Sequence, residues 1–93
     1  MQLNFSYKRF SVSKIDKLRD RFFSLPKDFT WDELSKVLIS YGYIELKTGK
    51  TGGSRRKFVK GSHIISLHKP HPGNIVKQYT IRQVIETLKN ILQ

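Results

Sequence analysis

Residues 54–69 read Ser-Arg-Arg-Lys-Phe-Val-Lys-Gly-Ser-His-Ile-Ile-Ser-Leu-His-Lys, and this stretch decides the fold. Two strand-like runs, 54–60 and 63–69, flank Gly61-Ser62. That pair suits a two-residue type II′ hairpin turn, which favours glycine first. Antiparallel pairing then follows by counting: Lys60 faces His63, Phe58 faces Ile65, Lys57 faces Ser66 and Arg55 faces His68. Side chains alternate between the two faces of a strand. Phe58, Ile65 and Leu67 therefore share one face. Arg55, Lys57, Ser66 and His68 share the other, flanked by Val59 and Ile64.

Working upstream, Tyr43-Ile44-Glu45-Leu46-Lys47 alternates as a half-buried strand does, with Ile44 and Leu46 expected inward. Thr48 to Gly53 is a Gly/Thr/Lys loop. The helix before it, over 30–41, has a clear start. Thr30-Trp31-Asp32-Glu33 forms a capping box, with Phe29 and Leu34 at staple positions. Leu34, Val37, Leu38 and Tyr41 make its apolar stripe, and Gly42 is the expected C-terminal breaker. An additional helix is expected near 13–24, with Ser13 as N-cap, Ile15, Leu18 and Phe22 on one face, and Pro26 ending it. Residues 1–12 form an N-terminal arm in which Leu3, Phe5 and Tyr7 alternate with polar residues, as in an edge strand or a partner-binding segment.

Downstream, Pro70-His71-Pro72-Gly73-Asn74 ends the sheet as a turn cluster. A last helix is expected from Thr80, with Thr80 to Gln83 as a second capping box and Tyr79 and Val84 as its staple. Ile81, Val84, Ile85, Leu88 and Leu92 form its apolar face. The order is α-α-β-β-β-α. This is an α+β domain, a three-stranded antiparallel meander with helices on one face of the sheet, and the 93 residues make a single domain.

Charge is the most informative part of the composition. Eighteen Lys/Arg against seven Asp/Glu give a net charge of +11, with a pI of about 10.2. Such an excess on a short chain points to a polyanion, with nucleic acid ahead of an anionic membrane or an acidic protein. Zero Cys excludes a disulfide framework, a thiolate-held Fe–S cluster and a Cys nucleophile. It also fits a reducing cytoplasm. No apolar run approaches the ~18 residues of a membrane span, and MQLNFSYKRF lacks a signal-peptide core.

The outward face of the hairpin carries the chemistry. Metal-independent RNA cleavage needs a proton acceptor near the ribose 2′-OH and cations on the phosphate. Histidine changes charge near neutral pH, and the Arg fork matches phosphate oxygens. From Lys47 to Lys60 there are six basic residues and no acidic one, which makes that stretch the electrostatic footprint. Lys50-Thr51-Gly52-Gly53 lacks phosphate-loop spacing and reads as a loop able to contact a backbone phosphate. His63, His68 and His71 do not make a zinc site, since no Cys supports them and Glu45 is the one nearby carboxylate candidate. His71, between two prolines, reads as a turn residue or as a group supporting the site from behind, and no cofactor is expected.

A family resemblance runs through these pieces. Phe29-Thr30-Trp31-Asp32-Glu33-Leu34, Leu38, Tyr41-Gly42-Tyr43, Gly49 to Arg55, Leu67-His68-Lys69-Pro70-His71-Pro72, Tyr79 and the closing helix resemble the HicA (YcfA-like) toxins, over roughly residues 29–93. The resemblance implies a double-stranded-RNA-binding-domain-like fold. It also implies an mRNA interferase, an endoribonuclease acting on mRNA, and a HicB-like antitoxin that covers the active face. Typical members carry Gly-Ser-His at the start of the second strand, and that histidine is catalytic. Here the matching triplet is Gly53-Ser54-Arg55. Gly61-Ser62-His63 lies too near the last helix to align.

Arginine stays protonated and does not readily accept a proton. Catalysis is therefore expected at the cross-strand neighbour His68, with Arg55 and Lys57 neutralising the phosphate. Lys50, Ser54, Arg56, Lys60, Ser66 and Lys69 are the expected RNA-binding residues. The alternatives are an RNA-binding module of the same fold that does not cleave, and a DNA-binding winged helix built from helices 13–24 and 30–41. The second helix carries only Lys36 as a basic residue, a poor match to a groove-reading helix.

Overall fold

A computed structural model of the chain describes residues 14–47 and 55–92. The expectations for residues 1–12, the Ser13 cap, the 48–53 loop and Ser54 fall outside the described residues. The elements follow the expected order: α1 over 14–23, α2 Trp31–Ser40, β1 Ile44–Lys47, β2 Arg55–Lys60, β3 His63–His68 and α3 Gln78–Leu92. The strands form one antiparallel sheet in the order β1-β2-β3.

The hairpin register is the one that counting across Gly61-Ser62 gives. Arg55 pairs with His68, Lys57 with Ser66, Phe58 with Ile65 and Lys60 with His63. Gly61 has φ +61°, the positive value that the first position of a type II′ turn requires. Phe58, Ile65 and Leu67 join a single core with Phe22, Phe29, Trp31, Leu34, Leu38, Ile81, Val84 and Leu88. The helices thus cover one face of the sheet.

The ends of α2 explain its position in the chain. Thr30 accepts from the Glu33 N–H while the Glu33 carboxylate accepts from the Thr30 N–H, completing the capping box. At the other end, Gly42 at φ +100° lets its N–H reach the Ile39 carbonyl and the Tyr43 N–H reach the Leu38 carbonyl. Those two bonds are the Schellman pattern. α2 has no basic residue in its last turn. Arg19 of α1 supplies the cation instead. It donates to Ser40 Oγ at 3.1 Å and to the Ser40 carbonyl at 3.0 Å, and its guanidinium sits 4.4 Å from the Tyr41 ring centroid. α1 is therefore tied to the end of α2, while its Phe22 reaches the shared core.

Three expectations need correction. Ile44 and Leu46 point outward, 66% and 47% exposed, while Tyr43 is buried. The register Ile44↔Val59 and Leu46↔Lys57 puts both on the same face as Val59 and Lys57, and the inner positions go to Tyr43 and Glu45. The last helix begins at Gln78, two residues early. Thr80 therefore lies inside the first turn, its N–H donating to the Lys77 carbonyl at 3.0 Å, and it cannot be the N-cap. Tyr79 is 59% exposed and staples nothing to Val84.

The chain leaves α1 through Leu25, which lies two residues past the helix end and adopts φ +61°. Its N–H bonds the Phe22 carbonyl, and the following Pro26 disfavours the right-handed helical region for Leu25. A short bridge, Thr30↔Ile75, joins the entries of α2 and α3. The Trp31 N–H donates to Asn74 and the Val76 N–H to Phe29, each at 2.8 Å.

Candidate nucleic-acid interface

Among the described residues, no helix covers the side of the sheet opposite the core. β2 and β3 are each six residues long and run in strict alternation opposite one another, so their outward side chains fall into rows. Arg55, Lys57, Ser66 and His68 are all exposed on this side. Arg55 lies directly across from His68 and Lys57 across from Ser66. Directly opposed residues have Cβ atoms only ~4.5–5.5 Å apart and diagonal ones ~7–8 Å, so Arg55 is the immediate cross-strand neighbour of His68 and Lys57 its diagonal neighbour.

The same face has a second, apolar sector. Ile44 and Ile64 are 66% and 56% exposed, and half-buried Val59 lies between them, paired to both. Leu46 continues the row beside Lys57. The open face is therefore cationic toward Arg55 and His68, and aliphatic toward Ile44 and Ile64.

Arg56 and Lys60 lie on the other side. Arg56 is half-buried, with Nε 3.9 Å from the Glu45 carboxylate, which also accepts from Ser35 Oγ at 2.9 Å. Lys60 Nζ donates to the Tyr41 carbonyl at 2.8 Å and sits 5.9 Å from the Tyr43 ring centroid. These two cations brace the ends of β1 and α2 and are not gathered with His68. Lys69 follows His68 at the end of β3 and is exposed. Lys50 and Ser54 lie outside the described residues.

His63 is also set apart. Its Nδ1 is 3.3 Å from the Tyr43 hydroxyl at the turn end of the hairpin, and burial pushes the Tyr43 phenol pKa up. Among the described residues no three His, Cys, Asp or Glu side chains come together as a metal-ligating group.

Sequence reasoning missed the region beside His68. A cleft of about 380 Å³ opens where β3 runs into the 70–74 turn and α3 begins, and His68, Lys69, His71, Lys77, Tyr79 and Thr80 line it. Lys77 Nζ lies 5.9 Å from the Tyr79 ring centroid. α3 has no acidic residue in its first turn, unlike α2 with Asp32 and Glu33, so its own first turn does not offset the positive end of its dipole. Tyr79 carried a signal, since an aromatic flanked by Lys77 and Arg82 is a common nucleic-acid contact. The expected helix start at Thr80 turned it into a staple.

No helix among the described residues is long and apolar enough to cross a membrane. No curated protein and no solved structure matches this chain. A family model described as HicA toxin of bacterial toxin-antitoxin matches residues 31–92. That span opens with the first residue of α2, closes with the last of α3, and takes in the whole sheet between them. The chain belongs to the HicA toxin family, whose members are the toxins of toxin–antitoxin systems.

Proposed function

We propose that the protein is an mRNA interferase, a cytoplasmic endoribonuclease that cleaves mRNA on the open sheet face and is neutralised by a HicB-like antitoxin. The observation that carries this reading is the register that sets His68 across from Arg55, beside Lys57 and Ser66. His68 exchanges protons with the ribose 2′-hydroxyl or the leaving oxygen. Arg55 and Lys57 hold the phosphate and stabilise the charge that builds on it in the transition state. Ser66 and Lys69 contact the flanking backbone. The aliphatic sector, Ile44, Val59 and Ile64, gives the antitoxin an apolar anchor next to the cations, so that a bound antitoxin excludes RNA.

The test is cleavage of RNA by purified protein, with and without EDTA. Cleavage that persists in EDTA and falls by ~10²–10⁴ in His68→Ala supports the reading, that range being typical for loss of a general acid or base. Equal cleavage by wild type and His68→Ala would refute the assignment.

The family resemblance favours a second reading. It sets Arg55 at the place of the typical members' histidine, and the same face would still bind structured RNA by shape and phosphate contacts without cutting it. Salt-dependent binding with no cleavage selects this alternative.

A further inference from the structure

His68 and His71 line one cleft. His68 stands at the end of β3 on the open face, and His71 enters from the turn that follows. The rest of the polar lining is Lys69, Lys77, Tyr79 and Thr80. Among the described residues that line it there is no carboxylate. Its volume of about 380 Å³ falls within the ~300–1,000 Å³ of small-ligand sites. A cleft with two imidazoles, two ammonium groups and one exposed aromatic ring suits a nucleotide: phosphate against the cations, base against the ring.

Cleavage of RNA without a metal moves two protons. The 2′-oxygen must lose one as it attacks phosphorus, and the 5′-oxygen must gain one as it leaves. One histidine can serve both events only in turn, whereas two histidines on one cleft can serve them together.

We propose that His71 is a second catalytic residue, the general acid to His68's general base, and that the cleft between the end of β3 and the start of α3 seats the nucleotide at the scissile bond. This rests on the nuclease reading of the same site. In the step, the neutral His68 imidazole accepts the 2′-hydroxyl proton while the 2′-oxygen forms its bond to phosphorus. The P–O5′ bond breaks, and the His71 imidazolium gives its proton to the departing 5′-oxygen. The products are a 2′,3′-cyclic phosphate and a 5′-hydroxyl. His68 ends protonated and His71 neutral, and exchange with water restores both. Lys77 holds a non-bridging phosphate oxygen, and the Tyr79 ring stacks on the adjoining base.

The experiment uses the full chain and two RNA oligonucleotides spanning a mapped cleavage site. One is ordinary; the other has sulfur in place of the 5′-bridging oxygen, a leaving group that needs no acid. His71→Ala is expected to slow the ordinary substrate by ~10²–10⁴ yet stay within about tenfold of wild type on the sulfur substrate. His68→Ala is expected to be slow on both. His71→Asn, which keeps polarity near the turn but transfers no proton, should repeat the His71→Ala pattern if alanine disturbs folding. Wild-type rates in His71→Ala, or equal losses on both substrates, overturn the acid role while leaving the nuclease reading intact. If wild-type protein cleaves neither RNA, the nuclease reading itself falls and this role with it. A binding measurement separates the cleft from the chemistry. A nucleoside 2′,3′-cyclic phosphate should shift the NMR resonances of both imidazoles with one Kd, weakened in Lys77→Ala. Shifts confined to His68 would remove His71 from the site.

Discussion

Arg55 and Lys57 carry one charge each, but they are not equivalent. A guanidinium can hold two phosphate oxygens at once, whereas an ammonium acts as a point charge. Arg55→Lys keeps the charge across from His68 and loses the fork. It should lower the single-turnover cleavage rate by roughly tenfold, about 1.4 kcal/mol of transition-state stabilisation, with little change in melting temperature. Lys57→Ala should lower the cleavage rate through the lost phosphate charge and should also loosen binding. It weakens affinity for RNAs of any sequence and reduces the slope of log K against log salt by ~0.7 for a single strand, the signature of one lost phosphate contact. A filter-binding series in salt measures it. The pairings of both residues were legible in the sequence because one two-residue turn fixes an entire hairpin register. The sides taken by Arg56 and Lys60 also follow from that alternation. Their engagement with Glu45 and the Tyr41 carbonyl does not, since it depends on where β1 and the end of α2 lie in space.

α2 is the element whose ends matter most. Burial pushes the Glu33 carboxyl upward, but the Thr30 N–H, the Arg21 guanidinium and the Thr30 hydroxyl together outweigh it and hold the carboxyl below its ordinary value. Arg21 donates to Glu33 at 2.9 Å and to Asp28 at 2.6 Å. A carboxyl lowered in the folded state binds its proton more weakly there than in the unfolded chain. Its contribution is complete above the unfolded value of about 4.3 and is lost as pH falls through the lower folded value. Thermal unfolding followed between pH 7 and pH 2 should show this loss, and Glu33→Gln should flatten that part of the profile. Thr30→Ala should cost about 1 kcal/mol, a drop of ~4–8 °C in Tm for a domain this size. Gly42→Ala should cost ~1–2 kcal/mol for a left-handed backbone, and its new Cβ would come within 3.1 Å of Lys60 Cε, displacing the lysine from Tyr41. Both ends of α2 could be read from the sequence because caps are local chemistry. The start of α3 could not. Thr80 to Gln83 fits a capping box equally well, whereas the residue that opens α3 makes a long-range contact that no local pattern shows, the Gln78 side chain donating to the Leu25 carbonyl at 2.7 Å. The direction of Ile44 was hidden for a similar reason. A four-residue strand, β1, has too few alternations to reveal its inner face, and Tyr43, just before it, takes the buried place.

At the scale of the molecule, one sheet face carries two kinds of surface. Ile64→Lys and Ile44→Lys replace side chains that are already more than half exposed, so stability should stay within about 0.5 kcal/mol. Affinity for a HicB-like antitoxin should fall at least tenfold in calorimetry while RNA cleavage persists, separating the aliphatic sector from the cationic one. The Thr30↔Ile75 bridge has a different consequence. Those two residues bracket α2, all three strands and the turn before α3, so the sheet hangs in a loop of chain whose two ends are clasped together. Opening the clasp exposes the Trp31 and Val76 amides in the same event, and the two should exchange with deuterium at one common rate, slower than their surface neighbours. A latch of this kind helps the sheet keep its shape although two of its three strands are edge strands.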